Sequence, residues 1–154
     1  MSTPITEYIA ENIKTAINAI TVAAGFNQTL SAVRRRWVEF DSLTPENGKV
    51  LIQQKEDEPG KNPTGCAAWS QKFLLFAIVT DDESSSDSIE LKMARVRDDI
   101  RKKLLEDTTR GDYAIDTING AATPLDGSRV TGIEMEVEVQ YATQYENPYI
   151  KAYA

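Results

Sequence analysis

Histidine is absent from all 154 residues, and cysteine occurs once, at Cys66. Without histidine there is no Ser-His-Asp or Cys-His nucleophilic machinery, and the commonest general base at neutral pH is missing. A single cysteine excludes an intrachain disulfide, and zinc is left with carboxylates and one thiol, a poor ligand set. Cys66 therefore reads as a small, semi-buried side chain. Long hydrophobic runs are lacking too: "AITVAAGF" and "FLLFAIV" are far too short to cross a bilayer. Residues 1 to 26 show no basic start followed by an apolar run and a cleavage site, so a cytosol is the expected place of folding. Positive charge is in deficit, with 17 Lys and Arg against 24 Asp and Glu, a net charge of −7. Phosphate binding needs a concentrated positive field. The deficit argues against sequence-specific nucleic acid and against an anionic membrane as direct ligands.

What is present is an ordinary globular composition, 41% apolar and 27% charged. A chain of this length buries roughly 70% of the surface its unfolded form exposes, and residues 1–154 read as one domain. Ile5, Tyr8, Ile9, Ile13, Ala16, Ile17 and Ile20 recur at helical spacing. Thr3 is placed to cap that helix with Pro4 at its first position, and Gly25 is a natural stop. "SAVRRRWVEFD" and "GKVLIQQKED" then read as strands, with a turn at Pro45, Asn47 and Gly48 between them. "EPGKNPTG" is a loop. Phe73 to Val79 is apolar on both faces, as expected of a central strand covered on each side. Ile89, Met93, Val96, Ile100 and Leu104 form the stripe of a second helix, with acids before it and Lys102 and Lys103 near its end. "YAIDTI" and residues 132 to 149 supply two more strands, joined by "NGAATPLDG". The expected fold is α+β, in the order α-β-β-β-α-β-β. Its mostly antiparallel sheet has about five strands, with two helices packed on one face. Two helices cannot cover both faces, so a partner is expected against the other.

Few arrangements here could carry chemistry. Gly60 and Gly65 have the spacing of the two P-loop glycines, but Cys66 and Ala67 stand where Lys and Ser/Thr are required. "DDESSSD" lacks the glycine turn and terminal glutamate of a calcium loop and reads as a solvated loop. In "GIEMEVEVQY" the apolar Ile133, Met135, Val137, Val139 and Tyr141 alternate with Glu134, Glu136, Glu138 and Gln140. The three glutamates fall on one strand face. They become an acid/base pair only if one is desolvated; otherwise they are an idle surface or a docking surface. Arg34 and Arg36 of "RRRW" share one face of an earlier strand, and are candidates to meet the glutamate row within the sheet or from a neighbouring subunit. No enzyme, cofactor or metal is expected.

The pattern resembles the tail terminator (tail completion) proteins of long-tailed bacteriophages. The likeness rests on "CAAWSQKFLLFAIVTDD" followed by a charged amphipathic helix, then "RGDYAIDTI", then "GIEMEVEVQYATQYENPY" with its Asn-Pro-Tyr tail. It runs from Ile5 to Tyr149, and is carried by the order of elements. The chain departs from the family's late-strand pattern by having Gln140 and Thr143 where basic residues are frequent, which bears on the polarity of a docking surface. The resemblance implies a structural virion protein: one subunit of a ring, expected to be a hexamer, that caps the tail tube and joins it to the head. Its implied partners are further copies of itself, the major tail tube protein and a head-neck connector protein. The implied location is the tail and neck of the virion, with assembly in the host cytoplasm. Another connector or neck subunit, or a small carboxylate-dependent hydrolase, are the alternatives.

Overall fold

The computed structural model of the chain describes residues 1–35, 43–60, 65–81, 86–127 and 129–152. Helix α1 spans Ile5–Asn18 and buries Ile5, Ile9, Ala10, Ile13 and Ile17 along one side. Pro4 takes the N-cap position and no side chain caps the helix, so it begins one residue later than the Thr3 signal suggests. It also ends well before Gly25. Thr21 is extended, with φ −137°, and its hydroxyl accepts the Ala24 N–H, starting a separate 3-10 turn over Val22–Ala24. Threonine's ability to bond nearby backbone explains why the apolar stripe outlasts the helix. Helix α2, Ile89–Leu105, starts on Ser88, whose hydroxyl accepts the Leu91 N–H at 3.2 Å. It buries Met93, Val96, Ile100 and Leu104, and Lys102 and Lys103 complement its dipole in the last turn.

The strands are β1 (Ser31–Arg34), β2 (Lys49–Pro59), β3 (Cys66–Ile78), β4 (Asp116–Asp126), β5 (Thr131–Gln144) and β6 (Asn147–Lys151). They form one sheet in the order β1-β2-β3-β5-β4, with β6 also paired to β5. Among the described residues β1 and β2 alone run parallel, and the other pairs are antiparallel. Because β3 pairs with β5 from Gln144 to Gly132, β6 must take the other edge of β5, beyond the start of β4. The fold is therefore α+β, with a six-stranded sheet instead of the expected five.

Both additional lengths of strand come from segments whose local chemistry points elsewhere. "NGAATPLDG" reads as a connection, yet β4 runs through it by a bulge between Asn119 and Ala122. A bulge absorbs an extra residue without ending the pairing. Pro124 is tolerated because β4 is an edge strand. The true turn is shorter, closed by the Gly127 N–H on the Val130 carbonyl. The Asn-Pro-Tyr tail is not the end of β5. The chain reverses at Tyr145–Glu146 and returns as β6.

The main core lies between the helices and one face of the sheet. Phe73, Leu75, Ala77 and Val79 from β3 and just beyond, and Ile133, Met135, Val137, Val139 and Tyr141 from β5, pack with Ile9, Ile13, Val96 and Ile100. The opposite face has a smaller cluster, in which Leu43, Leu51 and Val130 bury Phe76 and Ile78. Part of the apolar excess on β3 is thus covered by the chain itself, and on its own does not require a partner. Leu74 remains half-buried at the edge of this cluster.

Candidate interaction surface

Alternation along β5 sends Ile133 to Tyr141 into the core and Glu134, Glu136 and Glu138 to the face without helices. Register then fixes their neighbours. Glu134 stands opposite Phe76 and Thr123, Glu136 opposite Leu74, and Glu138 opposite Lys72 and Ile118. Beside Glu136 the β4 bulge places Gly120, where a Cβ would lie 3.0 Å from the Glu136 Cβ and 3.1 Å from its carbonyl oxygen. Only glycine fits that close approach comfortably. Glu136 is exposed, while Glu134 and Glu138 are half-buried. The Ser70 hydroxyl donates to Glu138 Oε1 at 2.5 Å. Lys72, although opposite Glu138, forms its ion pair with Glu58 at 3.7 Å.

The row borders two shallow depressions. One, of about 390 Å³, brings Glu134, Glu136 and Glu138 together with Lys55, Lys72 and Leu74. The other, of about 400 Å³, is floored by Leu51, Leu74, Phe76 and Leu125, with Glu134 and Asp126 at its side. Successive glutamates are about 6.8 Å apart, inside the screening length of about 8 Å at physiological salt, so the row repels itself. Among the described residues no three acidic or cysteine side chains are grouped to hold a metal ion. No helix there is long and apolar enough to cross a membrane.

Arg34 is not on this face. It shares the helix side of β1 with the buried Ala32, and its guanidinium donates to Glu7 Oε1 at 2.5 Å and Glu11 Oε1 at 2.8 Å. The Arg34 hydrogen bond and its charge hold the Glu7 carboxyl below its ordinary range, against the opposing effect of burial. Arg34 thus ties β1 to α1, and pairing with the glutamate row inside one chain is corrected by its position across the sheet. Arg36 lies outside the described residues.

Two polar links had no clear signal in the sequence. Asp99 is buried on α2 and accepts both the backbone N–H and the side-chain amide of Asn27, each at 3.0 Å. Asp57, in the acidic run "KEDE", accepts the Tyr141 hydroxyl at 2.7 Å. Burial pushes the Asp57 carboxyl up, and the Tyr141 hydrogen bond opposes the shift. Burial also raises the Tyr141 hydroxyl, with Asp57 adding to the effect. A charged run reads as solvated; only the register, which brings β2 and β5 to either side of β3, reveals the pair.

No protein-family model matches the chain, and no curated protein matches it.

Proposed function

We propose that the chain is a non-enzymatic assembly subunit of the tail terminator kind. In this reading, copies of it form a ring, of six subunits in the family it resembles, on the end of a phage tail tube and present the joining surface for the head. The observation that carries the reading is the helix-free sheet face, where Glu134, Glu136 and Glu138 line up beside Leu74 and Ile118. A carboxylate row that repels itself gains most from a basic surface laid against it. Charge complementarity of that kind chiefly sets orientation and association rate. The acidic balance of the chain, with a net charge of −7, also suits a channel through which DNA passes, since carboxylates repel phosphate. The element order of the resemblance agrees with an α+β chain whose second strand group follows α2.

The partners in this reading are further copies of the chain, the tail tube protein and a neck protein, with no cofactor. Negative-stain imaging of the purified protein, alone and mixed with tube preparations lacking their end cap, tests it. Rings of uniform diameter, or a density on one end of each tube, are expected. A protein that stays monomeric at all concentrations and leaves tubes uncapped contradicts it.

A further inference from the structure

A second surface, on the helix side of the sheet, does not depend on the assembly reading. Register sets Trp69 of β3 opposite Tyr141 on β5 and Pro59 on β2, and sets Gln71 opposite Asp57. Asp57 and Tyr141 stand on the two strands flanking β3 and are offset by two residues along it, so their backbones are about 12 Å apart at a strand spacing of roughly 4.8 Å and a rise of about 3.4 Å per residue. The Tyr141 side chain crosses that gap to donate to Asp57 Oδ2 at 2.7 Å, so its ring lies over β3 beside Trp69. Pro4 and Ile5 at the start of α1, with Pro148 and Tyr149 of β6, close a cleft of about 230 Å³ around them.

The cleft has aromatic walls and one carboxylate. Among the described residues Tyr141 is the one hydrogen-bond donor to the Asp57 side chain, which leaves the second oxygen free to accept. A carboxylate with an oxygen left to accept, held beside aromatic rings, favours a cation that can satisfy both. We propose that this cleft receives an arginine side chain from another protein chain. A guanidinium stacks flat on an aromatic ring and still directs N–H groups at a carboxylate, whereas a lysine ammonium is a point charge without a plane. A chain-borne arginine fits better than a free cation because the exposed Pro4, Pro148 and Tyr149 at the rim of the cleft offer further apolar surface. Residues flanking the arginine would cover them, and tyrosine and tryptophan are the side chains enriched at such interfaces.

Trp69 provides the readout. In the full chain with Trp37→Phe, the other tryptophan is removed and Trp69 emission is titrated with three probes. These are a blocked pentapeptide with a central arginine between leucines, its citrulline counterpart, and free arginine amide. A saturable change is expected, with the arginine peptide binding about tenfold or more tightly than the citrulline peptide, since hydrogen bonds to charged groups are the stronger ones. Asp57→Asn keeps an acceptor for Tyr141 and should weaken the arginine peptide by a similar factor. Should Trp37→Phe impair folding, the Trp69 indole resonance of the parent chain gives the same titration. Equal binding of the citrulline peptide, undiminished binding by Asp57→Asn, or no saturable response overturns the site. Free arginine amide binding as tightly as the peptide overturns its assignment to a chain-borne side chain.

Discussion

Replacing Gly132 with alanine tests how tightly β3 and β5 are joined. Gly132 pairs with Ile78 on β3 and with Leu125 on β4, at the end of the sheet where the smaller apolar cluster sits. Its backbone is not left-handed, so conformational freedom is not the reason for glycine there. The reason is space. A Cβ at this position would be driven into the Ala77 carbonyl oxygen, and would lie 2.8 Å from Phe76 Cζ and 3.1 Å from the Ala77 carbonyl carbon. A ring can swing aside, but the carbonyl belongs to the central strand. Relief therefore requires β3 and β5 to part near Ile78, loosening the Val79 N–H bond to the Thr131 carbonyl and exposing Phe76. Overpacking costs about 1–3 kcal/mol, and more where backbone must move, so about 2–4 kcal/mol is expected. At about 2–4 °C per kcal/mol for a domain of this size, the melting temperature should fall by about 4–16 °C. Gly60→Ala is the control, because its added Cβ meets Ala68 at an ordinary 3.5 Å. Combining Gly132→Ala with Phe76→Leu should recover only part of the loss, since the Ala77 carbonyl stays in place. Thermal unfolding by circular dichroism reads all three. A Gly132→Ala protein that melts with the parent refutes the close approach.

Asp99→Ala removes both acceptors of Asn27 and should cost about 1–3 kcal/mol, visible as a lower urea midpoint with unchanged slope. Asp57 has a raised folded pKa, so the folded state binds more protons than the unfolded one between the ordinary aspartate value near 3.9 and the raised value. Its contribution therefore worsens as pH rises through that window; Asp57→Asn should flatten the loss, and an unchanged stability difference across the window would count against a raised Asp57 carboxyl. Chelator treatment should leave the melting temperature where it was, because removing a bound ion withdraws its stabilisation; a drop reversed by added calcium or zinc would contradict this.

Much of this architecture is legible in the sequence because it is written in periodicity. The isoleucine stripe of α1, the Met93-Val96-Ile100-Leu104 stripe of α2 and the alternation along β5 each report a face, and each face is found where expected, although Tyr8, read with the α1 stripe, is exposed and stacks on Tyr113. Boundaries set by competing local signals are less legible. "NG" is a turn dipeptide in isolation, but between two edges of a ladder it becomes a bulge, and β4 continues. The Asn-Pro-Tyr tail reads as an ending, but it folds back because β5 has an unpaired edge beyond the start of β4. Arg34 illustrates the limit for the candidate surface. Strand alternation gives Arg34 a face, but which face meets the helices depends on how β1 pairs with β2, and that pairing is parallel and non-local in its consequences. The glutamate row was readable because its alternation with five apolar residues leaves one assignment of inside and outside.

The assembly reading is tested most directly by reversing the row's charge. A chain carrying Glu134→Lys, Glu136→Lys and Glu138→Lys together should fold with the parent's circular dichroism spectrum, since all three side chains lie outside the main core. It should fail to form rings or to cap tail tubes under negative stain, while the parent succeeds. A triple variant that folds and caps tubes as readily as the parent would contradict the claim that this face is where the subunit docks.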